Sequence, residues 1–166
     1  MNKKAHHSNY HIVKAEKSDK KNIKRFYKNQ NYSASYIGQD KCYIVKVDNT
    51  IIAVAIISLG QEHGNYWLLH GLVTEKQHRG NKVASAIIDT IISEKNQNIE
   101  AQYNKIVSFA DTELHAFYRA NGFISFNSNK AINNLPLEFK QRLARYRENR
   151  PNLHCFLYSA RDRIES

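Results

Sequence analysis

No apolar run in this sequence of 166 residues is long enough to cross a bilayer, and its first ten residues, MNKKAHHSNY, have no apolar centre of the kind a secretory signal needs. The expectation is a soluble, cytoplasmic protein. Cysteine is scarce. Cys42 and Cys155 each sit inside an apolar run, where buried thiols are commoner than disulfides in a reducing compartment, so both are expected to be structural. There is no GxSxG nucleophile elbow, no HExxH pair, no CxxC and no Walker loop. The His, Cys and Asp residues fall at no metal-ligand spacing, and His6-His7 stands in a terminus without periodic structure. A metal-independent reaction is the simplest expectation. Internal repeats and low-complexity tracts are lacking too.

Acidic residues are outnumbered, 15 against 25 basic, for a net charge of +10. The excess is uneven. Residues 1–30 carry nine Lys and Arg against Glu16 and Asp19, residues 31–134 balance nine against nine, and residues 135–166 carry seven against four. A positive field at the ends of a neutral centre could draw in an anionic ligand, an acidic protein or RNA. A solvated lysine-rich helix face explains it equally well. With 42% hydrophobic and 24% charged residues, the chain has the composition and length of one well-buried domain, expected over residues 10–166 behind a mobile segment 1–9.

Strands are expected at Tyr10–Ala15, Cys42–Val47, Ile51–Leu59, from Tyr66 to Val73, at Ile106–Ala110, Phe123–Asn127 and His154–Ala160. Asp48-Asn49 supplies a hairpin turn. Ile51–Leu59 is apolar almost throughout, as a strand covered on both faces would be. A first helix is expected after Ser18 as N-cap, with Ile23, Phe26 and Tyr27 on its buried stripe. A second begins near Val83, where Val83, Ile87, Ile88, Ile91 and Ile92 share one face. A third is capped by Asp111 and ended by Gly122. A fourth runs from Leu135 to Arg147 with Pro136 in its first turn.

The chain is organised around residues 67–93, WLLHGLVTEKQHRGNKVASAIIDTIIS, which read as strand, polar loop and helix. A loop containing Gly80 at a helix start leaves several backbone N–H groups without intrahelical partners, pointing at one spot. With Arg79 and Lys82 beside it, the natural guest is a phosphate or pyrophosphate.

Gln77-His78-Arg79-Gly80-Asn81-Lys82-Val83-Ala84 resembles the coenzyme A pyrophosphate loop of the GNAT acetyltransferase superfamily, written Gln/Arg-x-x-Gly-x-Gly/Ala. Gln77 and Gly80 match, whereas Lys82 stands where the family has a small residue. Asp111 to Phe123, DTELHAFYRANGF, resembles a second signature of that family in Phe117-Tyr118 and Gly122-Phe123, with Asp111 in place of Asn. Together they extend the resemblance over roughly residues 11–160.

The resemblance implies an α/β (α+β) fold: a mixed, mostly antiparallel central sheet flanked by helices, here with an extra helix between the last two strands. It implies an N-acetyltransferase that uses acetyl-CoA as co-substrate, needs no metal and lets an amine attack directly in a ternary complex. The diphosphate would rest on Arg79, Gly80, Asn81, Lys82, Val83 and Ala84, and the pantetheine arm would pair with the backbone of Leu72, Val73 and Thr74. Asp111 would add a coenzyme contact. Tyr118 would sit by the thioester sulfur, either giving a proton to the thiolate or packing there. His70 is the first choice of general base, with Glu62 and His63 as alternatives acting through water, and Tyr32 and Tyr36 would lie beside the acceptor pocket. The acceptor, small molecule or protein, is left open, as is the choice between monomer and homodimer. Two other readings are a GNAT-like module that binds coenzyme A without catalysis, and RNA binding through the basic N-terminal segment.

Overall fold

The computed structural model describes residues 10–34, 38–60, 65–102 and 104–159. Their strands are β1 (Ile12–Lys14), β2 (Lys41–Val47), β3 (Thr50–Leu59), β4 (Tyr66–Thr74), β5 (Lys105–Asp111), β6 (Ile124–Ser125) and β7 (Leu153–Tyr158). The helices are α1 (Lys20–Asn29), α2 (Val83–Gln97), α3 (His115–Ala120), α4 (Asn129–Asn133) and α5 (Leu137–Asn149). One sheet runs in the order β1-β2-β3-β4-β5-β7-β6, and every neighbouring pair is antiparallel except β4 with β5. This is the mixed, mostly antiparallel architecture expected, with helices on both faces and α5 between the last two strands.

Alternation along the strands sorts the core. Tyr43, Ala53, Ala55, Ile57, Trp67, Leu69 and Ile106 point to the face covered by Val83, Ile87, Ile88 and Ile91 of α2 and by Tyr118 of α3. Cys42, Ile44, Val54 and Ile56 point to the other face, against Ile23, Phe26 and Tyr27 of α1, while Leu68, Val107 and Leu157 meet Phe139 of α5. All eight interior residues of β3 are buried, as its unbroken apolar run requires. Cys42 and Cys155 are free, buried thiols, and burial pushes each up to about 12. Asp48 and Asn49 both take positive φ, 50° and 63°, which suits a two-residue hairpin turn.

Several local features differ from expectation. Ser18 is not the cap of the first helix: a short 3-10 turn, Lys17–Asp19, precedes α1, and the Asp19 carboxylate accepts the Glu16 N–H at 2.8 Å. The turn holds Ser18 in its middle and leaves Asp19 as the residue preceding α1. Asp111 makes no side-chain cap; its carboxylate pairs with Arg150 Nη2 at 2.7 Å. The expected Phe123–Asn127 strand shrinks to Ile124–Ser125, because the Asn127 side chain, accepting from Cys155 N–H and Arg147, replaces ladder bonds. Pro136 precedes α5 in extended conformation. The helix α4, capped by Ser128 Oγ, was not anticipated. No helix among the described residues is long and apolar enough to cross a membrane.

Candidate active site

The site begins with an irregularity in β4. Val54 pairs with Val73 and Ile56 with His70, so three steps on β4 answer two on β3, and the extra residue falls at Gly71. Gly71 has φ +60°, and a Cβ there would come within 2.6 Å of the Tyr27 hydroxyl. That hydroxyl donates a buried 2.7 Å bond to the Gly71 carbonyl, fixing the bulge from the α1 side. Only glycine meets both demands. Because of the bulge, Leu72 returns to the α2 face with Leu69, whereas Val73 packs under α1.

The bulge coincides with a split in the sheet. β4 pairs with β5 only from Tyr66 to Leu69, whose partner is Ser108. Beyond Ser108, β5 stays on β7 through Asp111, and β4 stays on β3 through Thr74. The two parallel strands diverge, leaving the β5-side edge of residues 70–74 without a strand neighbour among the described residues.

At the far end of that edge stands the Gly80 loop. The first α2 hydrogen bond runs from Ala86 N–H to Lys82 O, so the amides of Val83, Ala84 and Ser85 have no helical partner, and no side chain caps them. Gly80 has φ +83° and open space where a Cβ would be. Lys82 also adopts left-handed φ, +61°, at the position where the family pattern has a small residue, and its side chain is exposed. The partnerless amides and the exposed Lys82 thus lie together at the cavity wall. Arg79 Nε donates to the Thr74 carbonyl at 3.0 Å and ties the loop to the strand.

A cavity of about 490 Å³ joins these parts. Leu72 and Thr74 line it from β4, His78 to Gly80 and Lys82 to Ser85 from the loop and helix start, and Leu114, Phe117 and Tyr118 from the α3 region. Thr74 Oγ1 is buried beside it with no hydrogen-bond partner among the described residues. Tyr118 is 4% exposed, stacked on Phe156 at 4.8 Å and edge-on to Phe117 and Phe123. Its hydroxyl accepts from Ser108 Oγ at 2.8 Å, which leaves its own O–H free to donate elsewhere. Burial pushes the phenol up to about 12, against the lowering effect of the Ser108 bond.

His70, one residue past the last β4–β5 pair, points to the opposite face. Its Nε2 lies 2.8 Å from Ser58 Oγ. Arg142 Nη2 of α5 lies 3.5 and 3.4 Å from the two ring nitrogens. Burial, then the Arg142 charge, hold the imidazole down at about 3, so it is neutral near pH 7. On the same side Tyr146 accepts from Arg142 Nε at 2.7 Å and packs edge-on against Phe109. Tyr32 lies within electrostatic reach of Arg150, Tyr146 and Asp111, and burial raises its hydroxyl. Glu62, His63 and Tyr36 lie outside the described residues.

Of the residues singled out in sequence, Leu72, Thr74, Arg79, Gly80, Lys82, Val83, Ala84 and Tyr118 share one cavity. Val73 turns its side chain away, exposed Asn81 is not on the wall, Asp111 is taken by Arg150, and His70 sits across the sheet. His78, Ser85, Leu114 and Phe117 were missed as lining residues. Ser85 is legible as the third residue of the helix start; nothing in the sequence marks Arg142 as the neighbour of His70.

The sequence model described as an acetyltransferase (GNAT) domain matches residues 38–125, more than half of the chain. No curated protein matches in sequence. Among solved structures, N-acetylglutamate synthase from Neisseria gonorrhoeae, complexed with coenzyme A and N-acetyl-glutamate, has a TM-score of 0.67 at 16% identity over 90% of this chain. This chain spans 35% of that one. A GNAT-family acetyltransferase from Staphylococcus aureus Mu50 gives 0.62 at 17% identity, covering 90% of this chain and 98% of its own. Rv2747 from Mycobacterium tuberculosis, solved with CoA, gives 0.64 at 10% identity over 90% and 98%. At such identities the structural likeness is one of fold. The chain belongs to the GNAT acetyltransferase family.

Proposed function

We propose that the protein transfers the acetyl group of acetyl-CoA to an amine by direct attack within a ternary complex. The observation that carries this reading is the alignment of one cavity: unpaired amides where α2 begins, an open strand edge beside them, and a buried tyrosine hydroxyl at the apex of the split. Coenzyme A presents a diphosphate, an extended amide-bearing arm and a terminal thioester in that order, so its shape fits the sequence of features. The orphaned Thr74 hydroxyl is a polar atom such an arm could satisfy.

The amides of Gly80 to Ser85 hold the diphosphate, with Arg79 and Lys82 adding charge. The backbone of Leu72, Val73 and Thr74 pairs with the arm as an added strand would. Acetyl-CoA supplies an activated thioester carbonyl. As the C–N bond forms and the C–S bond breaks, Tyr118 gives its O–H proton to the departing sulfur, and His70 takes the proton leaving nitrogen. An imidazole held near 3 is too weak to deprotonate a free ammonium, but nitrogen becomes far more acidic once it bonds to the acyl carbon. The acceptor therefore enters as the neutral amine.

The test is thermal denaturation with acetyl-CoA for the wild type and Gly80→Glu, followed by thiol release in the presence of amines. The wild type should be stabilised by roughly 3 kcal/mol at a hundredfold excess over Kd, and the variant should not respond. A wild type indifferent to saturating acetyl-CoA would reject the reading. Binding without turnover across a broad amine panel would favour the non-catalytic module.

A further inference from the structure

The face of the split opposite the cavity carries its own chemistry. If the thioester lies in the split as proposed above, on which this inference rests, an amine must reach it from the side of His70, because the α2 side is filled by the donor. Four side chains meet there: His70 and Ser58 from the sheet, Arg142 and Tyr146 from α5.

Charge on this face is unbalanced. Arg150 is neutralised by Asp111 at 2.7 Å, and Tyr32 leans on the same arginine. Arg142 is half-buried and has no carboxylate partner among the described residues. Its Nε donates to the Tyr146 hydroxyl, over whose ring the guanidinium carbon lies at 5.9 Å, and Nη1 has no hydrogen-bond partner among the described residues. The Nη2 nitrogen stands almost equidistant from both ring nitrogens of His70, at 3.5 and 3.4 Å, a poor geometry for a bond to either. A half-buried guanidinium whose Nη2 has only these long contacts to a neutral imidazole is a costly arrangement unless an anion completes it.

We propose that the acceptor carries a carboxylate as well as its amine, and that Arg142 binds that carboxylate while the amine lies at His70. One unbalanced positive charge with a pair of terminal nitrogens matches a monoanionic, planar, two-oxygen group. A phosphate monoester brings a further charge and a third oxygen, for which these four side chains offer no second cation. The Tyr146 hydroxyl fixes the guanidinium plane, and Phe109 behind Tyr146 backs it with an apolar wall.

The experiment measures CoA release from acetyl-CoA with a panel of amino acids, each set beside its own carboxamide, and with phosphoethanolamine. The acids should be preferred over their amides by about ten- to a hundredfold in kcat/KM. Arg142→Gln should raise KM for the best acid by a similar factor, leave the KM for acetyl-CoA in place and erase the preference; Arg142→Lys should restore part of it. Acetyl-CoA-induced thermal stabilisation of each variant establishes that it is folded and that the donor site is intact. Equal use of acids and amides, selective use of phosphoethanolamine, or an acid KM unchanged in Arg142→Gln would overturn the assignment. So would donor binding with no acid in the panel accelerating thiol release. Failure of the wild type to bind acetyl-CoA at all would instead remove the donor reading beneath it.

Discussion

Ser108 Oγ donates to the Tyr118 hydroxyl at 2.8 Å, across the point where β4 and β5 part. Ser108 is 2% exposed and Tyr118 4%, so neither can exchange this partner freely for water. The bond fixes the phenol at the apex of the split and leaves its proton pointing away from serine.

Tyr118→Phe keeps the ring stacked on Phe156 and removes only the oxygen. It should cost about 1–3 kcal/mol, chiefly because Ser108 is left buried without an acceptor. Adding Ser108→Ala should recover most of that stability. If the phenol protonates the thiolate, neither variant regains turnover: kcat falls by roughly 10²–10⁴ while the KM for acetyl-CoA stays within about twofold. Urea unfolding and steady-state rates on the two variants check this, and activity returning with stability would assign Tyr118 to packing.

Gly71 and Tyr27 should prove energetically coupled. Gly71→Ala places a Cβ 2.6 Å from the Tyr27 hydroxyl and holds it at φ +60°, for a loss of roughly 2–4 kcal/mol. In a Tyr27→Phe background the clash is gone and only the backbone strain remains. A double-mutant cycle should give a coupling of about 1 kcal/mol or more, and strictly additive losses would contradict the contact.

His70 should give the fold a pH dependence of definite sign. Its folded pKa of about 3 lies below the 6.5 of a free imidazole, so between those values the unfolded chain binds the extra proton. Stability is then unaffected above about pH 6.5 and falls as pH drops toward 3, by up to ~1.4 kcal/mol per unit. His70→Asn, which can still meet Ser58, should flatten that part of the curve in urea titrations between about pH 4.5 and 7.5. Parallel curves would mean that His70 titrates normally. In turnover, the same value predicts no break near 6.5; the rate should rise with the fraction of neutral acceptor amine.

Much of the sheet was legible because burial writes itself into composition: β3 is a nearly unbroken apolar run, and α2 repeats isoleucine at helical spacing. The Gly80 loop was readable for a similar reason, since strand, polar turn and helix leave amides free whatever the side chains. What could not be read depends on partners distant in sequence. The bulge at Gly71 was not read from the sequence, since the tyrosine that clamps it lies 44 positions earlier. His70 could be suspected, yet its environment is set by an arginine 72 positions later. Asp111 offered a capping carboxylate, and Arg150 took it by charge. Lys82 in left-handed backbone had no sequence signal beyond its mismatch with the family pattern.

The claim on which the rest depends is that the amides opening α2 hold the donor's diphosphate. Backbone amide shifts followed by NMR during a titration with coenzyme A test it directly. The account predicts that the largest changes fall on Gly80 to Ser85, with smaller ones along residues 70–74, and that Gly80→Glu abolishes them. Changes confined to the lysines of α1, with the amides of residues 80–85 unmoved, would contradict it.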